Sequence, residues 1–254
     1  MKFSINIDFV YDSINYLDAI REIKEIGFEN IEVCFMHDKN IDDLEMAQRE
    51  TGIGVELMLS DLMGLTDAST KQKFIEMTKA KVQDAKRLNC KKIIIASGDF
   101  LEGITHEHQL GNIEAGVREL LPYFEENAIT ALIEPINNKV DHPEAGLWSS
   151  AESFDMVRCI GSSNVKILFD IYHMQIMEGD VTRRMLEHLD IISHIHCAGN
   201  PGRNEPYIGE LNYLEIVRIL SEEGFDGCIG IEYIPTVSPK EGLTRLREMF
   251  ARFM

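Results

Sequence analysis

Short apolar runs alternate along the chain with longer amphipathic stretches. Eight of the short runs are rich in β-branched residues and apolar enough to be buried on both faces, which is typical of parallel strands. We predict strands at Lys2–Phe9, Asn30–Phe35, Gly54–Leu59, Lys91–Ser97, Thr130–Glu134, Val165–Asp170, Ile192–Cys197 and Cys228–Tyr233.

The intervening stretches carry apolar residues at helical spacing. Ser13–Gly27 is the clearest example, because Gly27 also stands where a helix-terminating glycine is expected. The same pattern predicts helices at Asp42–Thr51 (the weakest pattern of the set), Lys71–Leu88, Gln109–Glu126, Ser150–Ile160, Val181–Leu189, Tyr213–Glu223 and Pro239–Arg252.

Eight strands, each followed by a helix, predict an α/β fold of the closed (β/α)₈ TIM-barrel type. The 254 residues suit a single barrel domain spanning residues 1–254, with its active site at the C-terminal ends of the strands. An open doubly wound sheet is the alternative. It would be favoured by a glycine-rich phosphate loop after the first strand, and the stretch Phe9-Val-Tyr-Asp12 contains no glycine.

Four consecutive predicted strands end in residues that could share one site. Glu134 ends the fifth strand, Asp170 the sixth, and His196 and Glu232 lie near the ends of the seventh and eighth. Each residue alone is compatible with a cap, a salt bridge or a packed core histidine. Together they would place three carboxylates and one imidazole in a small volume.

Three converging carboxylates repel one another unless a cation lies among them. The oxygen-rich set with one histidine predicts a single divalent metal ion, with Mn²⁺ or Mg²⁺ favoured and Co²⁺ or Zn²⁺ compatible. Three further side chains are predicted to bind substrate. These are His173, in the loop over the sixth strand, and Arg203 and Glu205, in the loop after the seventh. An Arg203–Glu205 pair that only rigidifies its loop is an equal alternative.

Composition restricts the class of partner. A net charge of −18 disfavours binding to a phosphate backbone, so we expect no nucleic-acid partner. No apolar run approaches the roughly 20 residues of a membrane span, and the first residues lack a secretory h-region. The five cysteines are widely spaced, which is typical of reduced thiols. We therefore expect a cytoplasmic protein that acts on a small molecule.

Several motifs resemble the hydroxypyruvate isomerase family, within the xylose isomerase-like superfamily of sugar isomerases and epimerases. The resemblance covers the whole chain and is densest over 132–235. It is carried by Leu132-Ile-Glu-Pro-Ile-Asn137, Asp170-Ile-Tyr-His-Met-Gln-Ile-Met-Glu-Gly-Asp180, Pro201-Gly-Arg-Asn-Glu-Pro206, Gly209-Glu-Leu-Asn-Tyr213 and Gly230-Ile-Glu-Tyr233.

This resemblance implies that Glu134 and Glu232 bind metal or act as an acid–base pair, and that Asp170 is a metal ligand. We add Asn137 to the expected substrate-binding residues. His196 stands where hydroxypyruvate isomerases typically carry Gln, and in this respect the chain is more similar to ketose 3-epimerases. Ile234 stands where the isomerases often carry Lys. Related barrels are often dimers or tetramers, so a homo-oligomer is an open expectation.

The expected reaction moves a proton between carbons next to a carbonyl through an enediolate, with Glu134 and Glu232 as the acid and base. By motif, the substrate is hydroxypyruvate, converted to tartronate semialdehyde, or a related 2-oxo sugar acid. The alternative is a ketose 3-epimerase. More remote are an abasic-site endonuclease, which would need a basic face, and a non-catalytic binding barrel, which would not need three converging carboxylates.

Overall fold

The eight strands form a closed parallel barrel in which β8 pairs with β1. The computed structural model describes residues 1–12 and 14–254. The strands are β1 Lys2–Asn6, β2 Asn30–Val33, β3 Gly54–Leu59, β4 Lys92–Ile95, β5 Thr130–Ile133, β6 Val165–Asp170, β7 Ile192–Cys197 and β8 Cys228–Ile231. The predicted barrel is therefore confirmed, with β3, β6 and β7 at the predicted bounds.

Helices surround the barrel on its outer face. They are α1 Ile7–Val10, α2 Tyr16–Ile26, α3 Ile41–Thr51, α4 Lys71–Arg87, α5 His106–Asn127, α6 Ser150–Ile160, α7 Ile171–Met177, α8 Val181–Glu187, α9 Tyr213–Glu222 and α10 Pro239–Phe250. The predicted start of the Ser13–Gly27 helix falls on residue 13, which lies outside the described residues. Within the described chain, no helix is both long and apolar enough to cross a membrane.

Local signals set most helix boundaries. The Asn15 side chain accepts hydrogen bonds from the N–H groups of Leu17 and Asp18 and so caps α2. That helix ends at Gly27, whose φ of 103° lies in the left-handed region that glycine adopts without strain. Ser149 caps α6 in the same way, by accepting from the Glu152 N–H.

Two helices differ from the sequence-based expectation. The first predicted strand was too long, because the Asn6 side chain accepts the Asp8 N–H and starts the short helix α1. The second difference is α7, which the sequence did not predict. The Asp170 side chain accepts the His173 N–H and starts this helix directly after β6, so His173 is helical and not in a loop.

The barrel interior is apolar on one side and polar on the other. A compact apolar cluster fills the interior on β2 to β6, formed by Cys34, Leu57, Ile94, Leu132 and Leu168. On β7, β1 and β2 buried residues of the same strand parity are polar, and include His194, His196, Ser4, Asn6 and Glu32, whereas β8 places the small residues Cys228 and Gly230 beside them. A larger cluster packs the outer strand faces against the helices.

A buried ion pair fixes the C-terminal end of β2 beneath α1. Asp8 accepts hydrogen bonds from the backbone N–H groups of Cys34 and Phe35, at 2.7 and 3.1 Å, and from the Lys39 ammonium. The Asp8 and Lys39 side chains are only 3% and 5% exposed. Removing one partner of such a pair leaves an uncompensated charge in the interior.

We therefore expect Asp8→Ala to lower the free energy of unfolding by about 3 kcal/mol, near the lower end for a broken buried pair because Asp38 still contacts Lys39. Urea denaturation followed by circular dichroism measures this change. The control is Glu50→Ala, which removes an exposed partner of Arg21 and should have little effect. Equal loss of stability in the two variants would contradict this view of Asp8.

Candidate active site

The four predicted metal ligands meet at the C-terminal ends of the strands. Glu134 directly follows β5, Asp170 and His196 lie on β6 and β7, and Glu232 directly follows β8. The Nδ1 atom of His196 lies 3.5 Å from Glu134 Oε1 and 3.6 Å from Glu232 Oε2. Asp170, His196 and Glu232 each offer one candidate ligand atom, and these three atoms lie within 4.8 Å of one another.

These residues fit a divalent cation. The Nδ1 atom of His196 is buried and has no hydrogen-bond partner among the described residues, although it faces two carboxylates. A buried nitrogen in this position is normally satisfied. A metal ion among Glu134, Asp170, His196 and Glu232 would use that lone pair and offset the repulsion between the three carboxylates.

The pKa values of the site residues reflect this crowding of charge. Burial, together with the neighbouring Glu232 and Asp170 carboxylates, raises the pKa of Glu134 to about 7 even though His196 acts in the opposite direction. Burial also raises the pKa of Glu232, with His196 and Arg203 opposing the shift. For His196, burial disfavours the imidazolium, but Glu232 and Glu32 outweigh it and raise its pKa well above the usual value.

His173 also reaches this site, since its Nε2 atom lies 3.5 Å from Asp170 Oδ2. Its tautomer follows from Asn137. The Asn137 carbonyl oxygen accepts the N–H groups of Val140 and Asp141, so its amide nitrogen faces His173 Nδ1 at 2.6 Å and donates to it. His173 Nδ1 is therefore an acceptor, and the ring proton is on Nε2.

Burial, with Arg203 nearby, lowers the pKa of His173 well below its usual value, so the ring is neutral. A neutral ring with the proton on Nε2 is a hydrogen-bond donor to an oxygen in the site, and it has no free lone pair for a metal. Asn137 itself is fully buried and does not line the cavity. The Asn137 side chain therefore contacts His173 and not the cavity.

Arg203 enters the site from the loop after β7. Its guanidinium contacts Glu232 and stacks over Phe9, with 4.5 Å between the guanidinium carbon and the ring centroid. The side chain is 7% exposed, and the backbone adopts a φ of 55°, a strained value for a residue with a Cβ. A strained residue that is held by two contacts is typical of a functional position.

Glu205 does not join this group. It is fully buried and both of its carboxylate oxygens accept hydrogen bonds from the Thr236 and Val237 segment after β8. The structure therefore does not place Glu205 at the cavity. It also does not pair Arg203 with Glu205, because Arg203 contacts Glu232 instead.

Three contributors to the site were not predicted from the sequence. Asn6 donates to Glu232 Oε1 at 2.8 Å, and Glu32 contacts the Nε2 atom of His196 at 2.9 Å. His142 packs edge-on against His173. A first strand ending at Asn6 would have pointed to that residue, but no sequence signal brings His142 or Glu32 to this site.

The site opens into a cavity of about 250 Å³. One part of the lining is polar and includes Glu134, His173, Arg203 and Glu232, whereas another part is largely apolar and includes Phe35, Leu59, Leu62 and Ile94. Phe9 also lines the cavity, beside Arg203. Small-molecule pockets have volumes of about 300–1,000 Å³, so a cavity of this size suits a small metabolite.

Comparison with known proteins gives matches over the whole chain and over about half of it. The family model described as xylose isomerase-like TIM barrel matches residues 20–252. The chain is 30% identical to a putative hydroxypyruvate isomerase of Homo sapiens, over 99% of this chain and 96% of that protein. A 2-oxo-tetronate isomerase of Cupriavidus necator is 40% identical over 49% of this chain and 47% of its own length.

Among solved structures, a crystal structure titled AP endonuclease, family 2, from Brucella melitensis superposes with a TM-score of 0.92. The identity is 25%, and the match covers 99% of this chain and 98% of that chain.

The raised pKa of Glu134 makes a prediction for metal binding. Metal binding needs the ionised carboxylate of Glu134, whose pKa is about 7. At a pH below that value the ion must displace the carboxyl proton, so Mn²⁺ affinity should fall as the pH falls through 7. For one displaced proton the expected loss is about tenfold per pH unit.

Isothermal titration with Mn²⁺ in buffers of different ionisation enthalpy measures both the affinity and the protons released. Glu134→Gln removes this titrating group, so the number of protons released below pH 7 should fall by about one, while release of the His196 proton remains. An affinity independent of pH in the unmodified protein would contradict the prediction.

Proposed function

Because the chain belongs to the xylose isomerase-like TIM barrel family and is an isomerase, we propose that it interconverts the keto and aldehyde forms of a short hydroxy-carbonyl acid, using one divalent cation. Our favoured substrate is hydroxypyruvate, converted to tartronate semialdehyde, or a related 2-oxo sugar acid such as a 2-oxo-tetronate. The observation that carries the proposal is the convergence of two cavity-lining carboxylates, Glu134 and Glu232, on the Nδ1 atom of His196, which has no hydrogen-bond partner among the described residues.

The residues present would hold and use the cation in a definite way. Glu134, Asp170, His196 and Glu232 would bind it, and when bound it would polarise the substrate carbonyl and stabilise negative charge on oxygen. Mn²⁺ or Mg²⁺ suits the oxygen-rich set best, with Co²⁺ or Zn²⁺ as the other candidates.

The proton transfers belong to the two glutamates. In hydroxypyruvate one carboxylate removes a proton from C3, the C3–H electron pair forms the C2–C3 double bond of the enediolate, and the C2 carbonyl π pair moves onto O2. A proton is then returned to C2, while the C3 hydroxyl loses its proton and becomes the aldehyde carbonyl and O2 gains a proton, which gives tartronate semialdehyde. The raised pKa values of Glu134 and Glu232 suit this work, because a group that titrates near the working pH can both take and give a proton.

Two other side chains would orient the substrate. The Nε2–H of neutral His173 would donate to a substrate oxygen, and the guanidinium of Arg203 would hold the carboxylate through charge-assisted hydrogen bonds. Ile234, which is half exposed, offers no second cation at the position where we expected a lysine in isomerases. Arg203 would therefore be the main cationic contact of the acid.

The ketose 3-epimerase is the second candidate, and His196 favours it. Both reactions share the enediolate and differ in where the proton returns. Four-carbon or longer sugars would extend towards the apolar wall of Phe35, Leu59 and Leu62. A short acid would leave that wall in contact with water.

An endonuclease function is disfavoured by charge. Proteins that hold duplex DNA neutralise many phosphates with clustered Lys and Arg, and this chain has a net charge of −18. The polar cavity wall has one guanidinium, Arg203, and that group faces Glu232. We also propose a cytoplasmic location, because all five cysteines are free thiols.

Deuterium exchange tests the proposal directly. With Mn²⁺ in D₂O, we expect deuterium to enter C3 of hydroxypyruvate and C2 of tartronate semialdehyde. NMR measures this incorporation. Glu134→Gln and Glu232→Gln should each slow exchange by about 10²–10⁴-fold, the usual contribution of a general acid or base.

The same assay should include 2-oxo-tetronate, a panel of ketoses and a duplex with one abasic site. Exchange only at C3 of a ketose would replace the isomerase with the epimerase. Strand cleavage of the duplex would support the endonuclease. No exchange in any compound, despite metal binding, would support a non-catalytic barrel.

Arg203→Lys tests whether Arg203 binds the carboxylate of the substrate. Lysine keeps the charge but loses the fork of donors, so KM for the acid should rise by roughly tenfold or more, since one charge-assisted hydrogen bond contributes about 1.5–3 kcal/mol. Mn²⁺ affinity should be nearly unchanged. Similar losses for an acid and for an uncharged ketose would contradict a specific contact with the carboxylate.

A further inference from the structure

Glu32 is a fully buried carboxylate inside the barrel, beneath the candidate metal site. It comes from β2, yet it reaches across the barrel to two histidines of β7. Its Oε1 atom contacts His194 Nε2 at 2.8 Å, and its Oε2 atom contacts His196 Nε2 at 2.9 Å. The Ser4 hydroxyl donates to Oε1 at 2.5 Å. Both oxygens of the carboxylate are therefore committed to hydrogen bonds.

Gly230 on β8 gives this carboxylate its room. A Cβ atom at Gly230 would lie 2.2 Å from Glu32 Oε1, 2.6 Å from His196 Cδ2 and 2.8 Å from His194 Nε2. Its φ is not in the left-handed region, so backbone conformation does not explain the glycine. The space is needed for the side chains of Glu32 and the two histidines, which makes Gly230 an independent sign that their arrangement matters.

The contacts determine the ring orientation of His196. A carboxylate is an acceptor only, so the Nε2 atom that faces Glu32 must carry a proton. The opposite nitrogen, Nδ1, then points into the site towards Glu134 and Glu232, and it has no partner among the described residues. His194 donates to the same carboxylate from below, and its own Nδ1 is likewise without a hydrogen-bond partner.

We propose that Glu32 is a positioning residue for His196: it accepts the Nε2–H of the ring and so directs the Nδ1 lone pair at the divalent cation. This inference rests on the metal site of the proposed function. Carboxylates that accept the second N–H of a metal-binding histidine fix its tautomer and make it a stronger ligand.

A purely structural role explains the arrangement less well. A charged group in a barrel interior costs free energy even when it is hydrogen-bonded, and apolar side chains of similar volume are often neutral or stabilising replacements. Elsewhere the barrel interior is filled by apolar side chains, including Leu57 on β3 and Ile94 on β4. The carboxylate of Glu32 is therefore better explained by its contact with His196 than by stability.

The test is the Mn²⁺ affinity of Glu32→Gln and Glu32→Leu, measured by isothermal titration. Gln keeps one acceptor oxygen but loses the charge, and Leu has no acceptor. We expect Gln to weaken binding by about 10–100-fold and Leu to weaken it further. The matched control is Glu178→Gln, which alters a carboxylate that is 15% exposed and bonded to Ser150 away from the site. It should bind Mn²⁺ like the unmodified protein.

A second measurement needs no variant and still applies if the Glu32 variants do not fold. In the Zn²⁺-loaded unmodified protein, long-range ¹H–¹⁵N NMR should show His196 protonated at Nε2 and metal-bound at Nδ1. A ring bound through Nε2, or folded Glu32→Gln with unchanged affinity, would overturn the inference. Absence of metal binding by the unmodified protein would instead overturn the metal site on which it rests.

Discussion

The concentration of negative charge at one end of the barrel constrains the rest of the site. Glu32, Glu134, Asp170 and Glu232 lie close together, and Arg203 is the permanently charged cation in direct contact with them. Carboxylates in a low-dielectric interior repel strongly, and each also loses hydration. The arrangement is stable only if hydrogen-bond donors and cations contact these carboxylates. The neighbouring residues supply such donors.

His196 is the central element of this compensation, because it contacts carboxylates on both sides of its ring. Nε2 faces Glu32 in the barrel interior, and Nδ1 faces Glu134 and Glu232 at the cavity. Without a metal the ring is stabilised as an imidazolium, in agreement with its raised pKa. A cation bound at Nδ1 would take over the positive charge on the cavity side while the contact with Glu32 stays intact.

The sequence was sufficient for the fold and for the four central side chains. Strand ends on one side of a parallel barrel converge, so the position of Glu134, Asp170, His196 and Glu232 along their strands predicted their meeting. The roles of Asn137 and Glu205 were not predictable in this way. Each lies near the site in sequence, but local hydrogen bonds turn Asn137 towards His173 and Glu205 towards Thr236.

Glu32 shows the opposite limit of sequence-based analysis. It lies between Ile31 and Val33 in a strand of four residues, and a single acidic residue there is compatible with an exposed position. Its role depends on a glycine on β8 and on two histidines on β7, all far from it in sequence. The candidate metal site of this barrel thus contains two kinds of residue. Residues at the strand ends can be recognised from the sequence. Residues that contact them from the barrel interior, such as Glu32, are brought there by packing across the barrel, and no local sequence pattern identifies them.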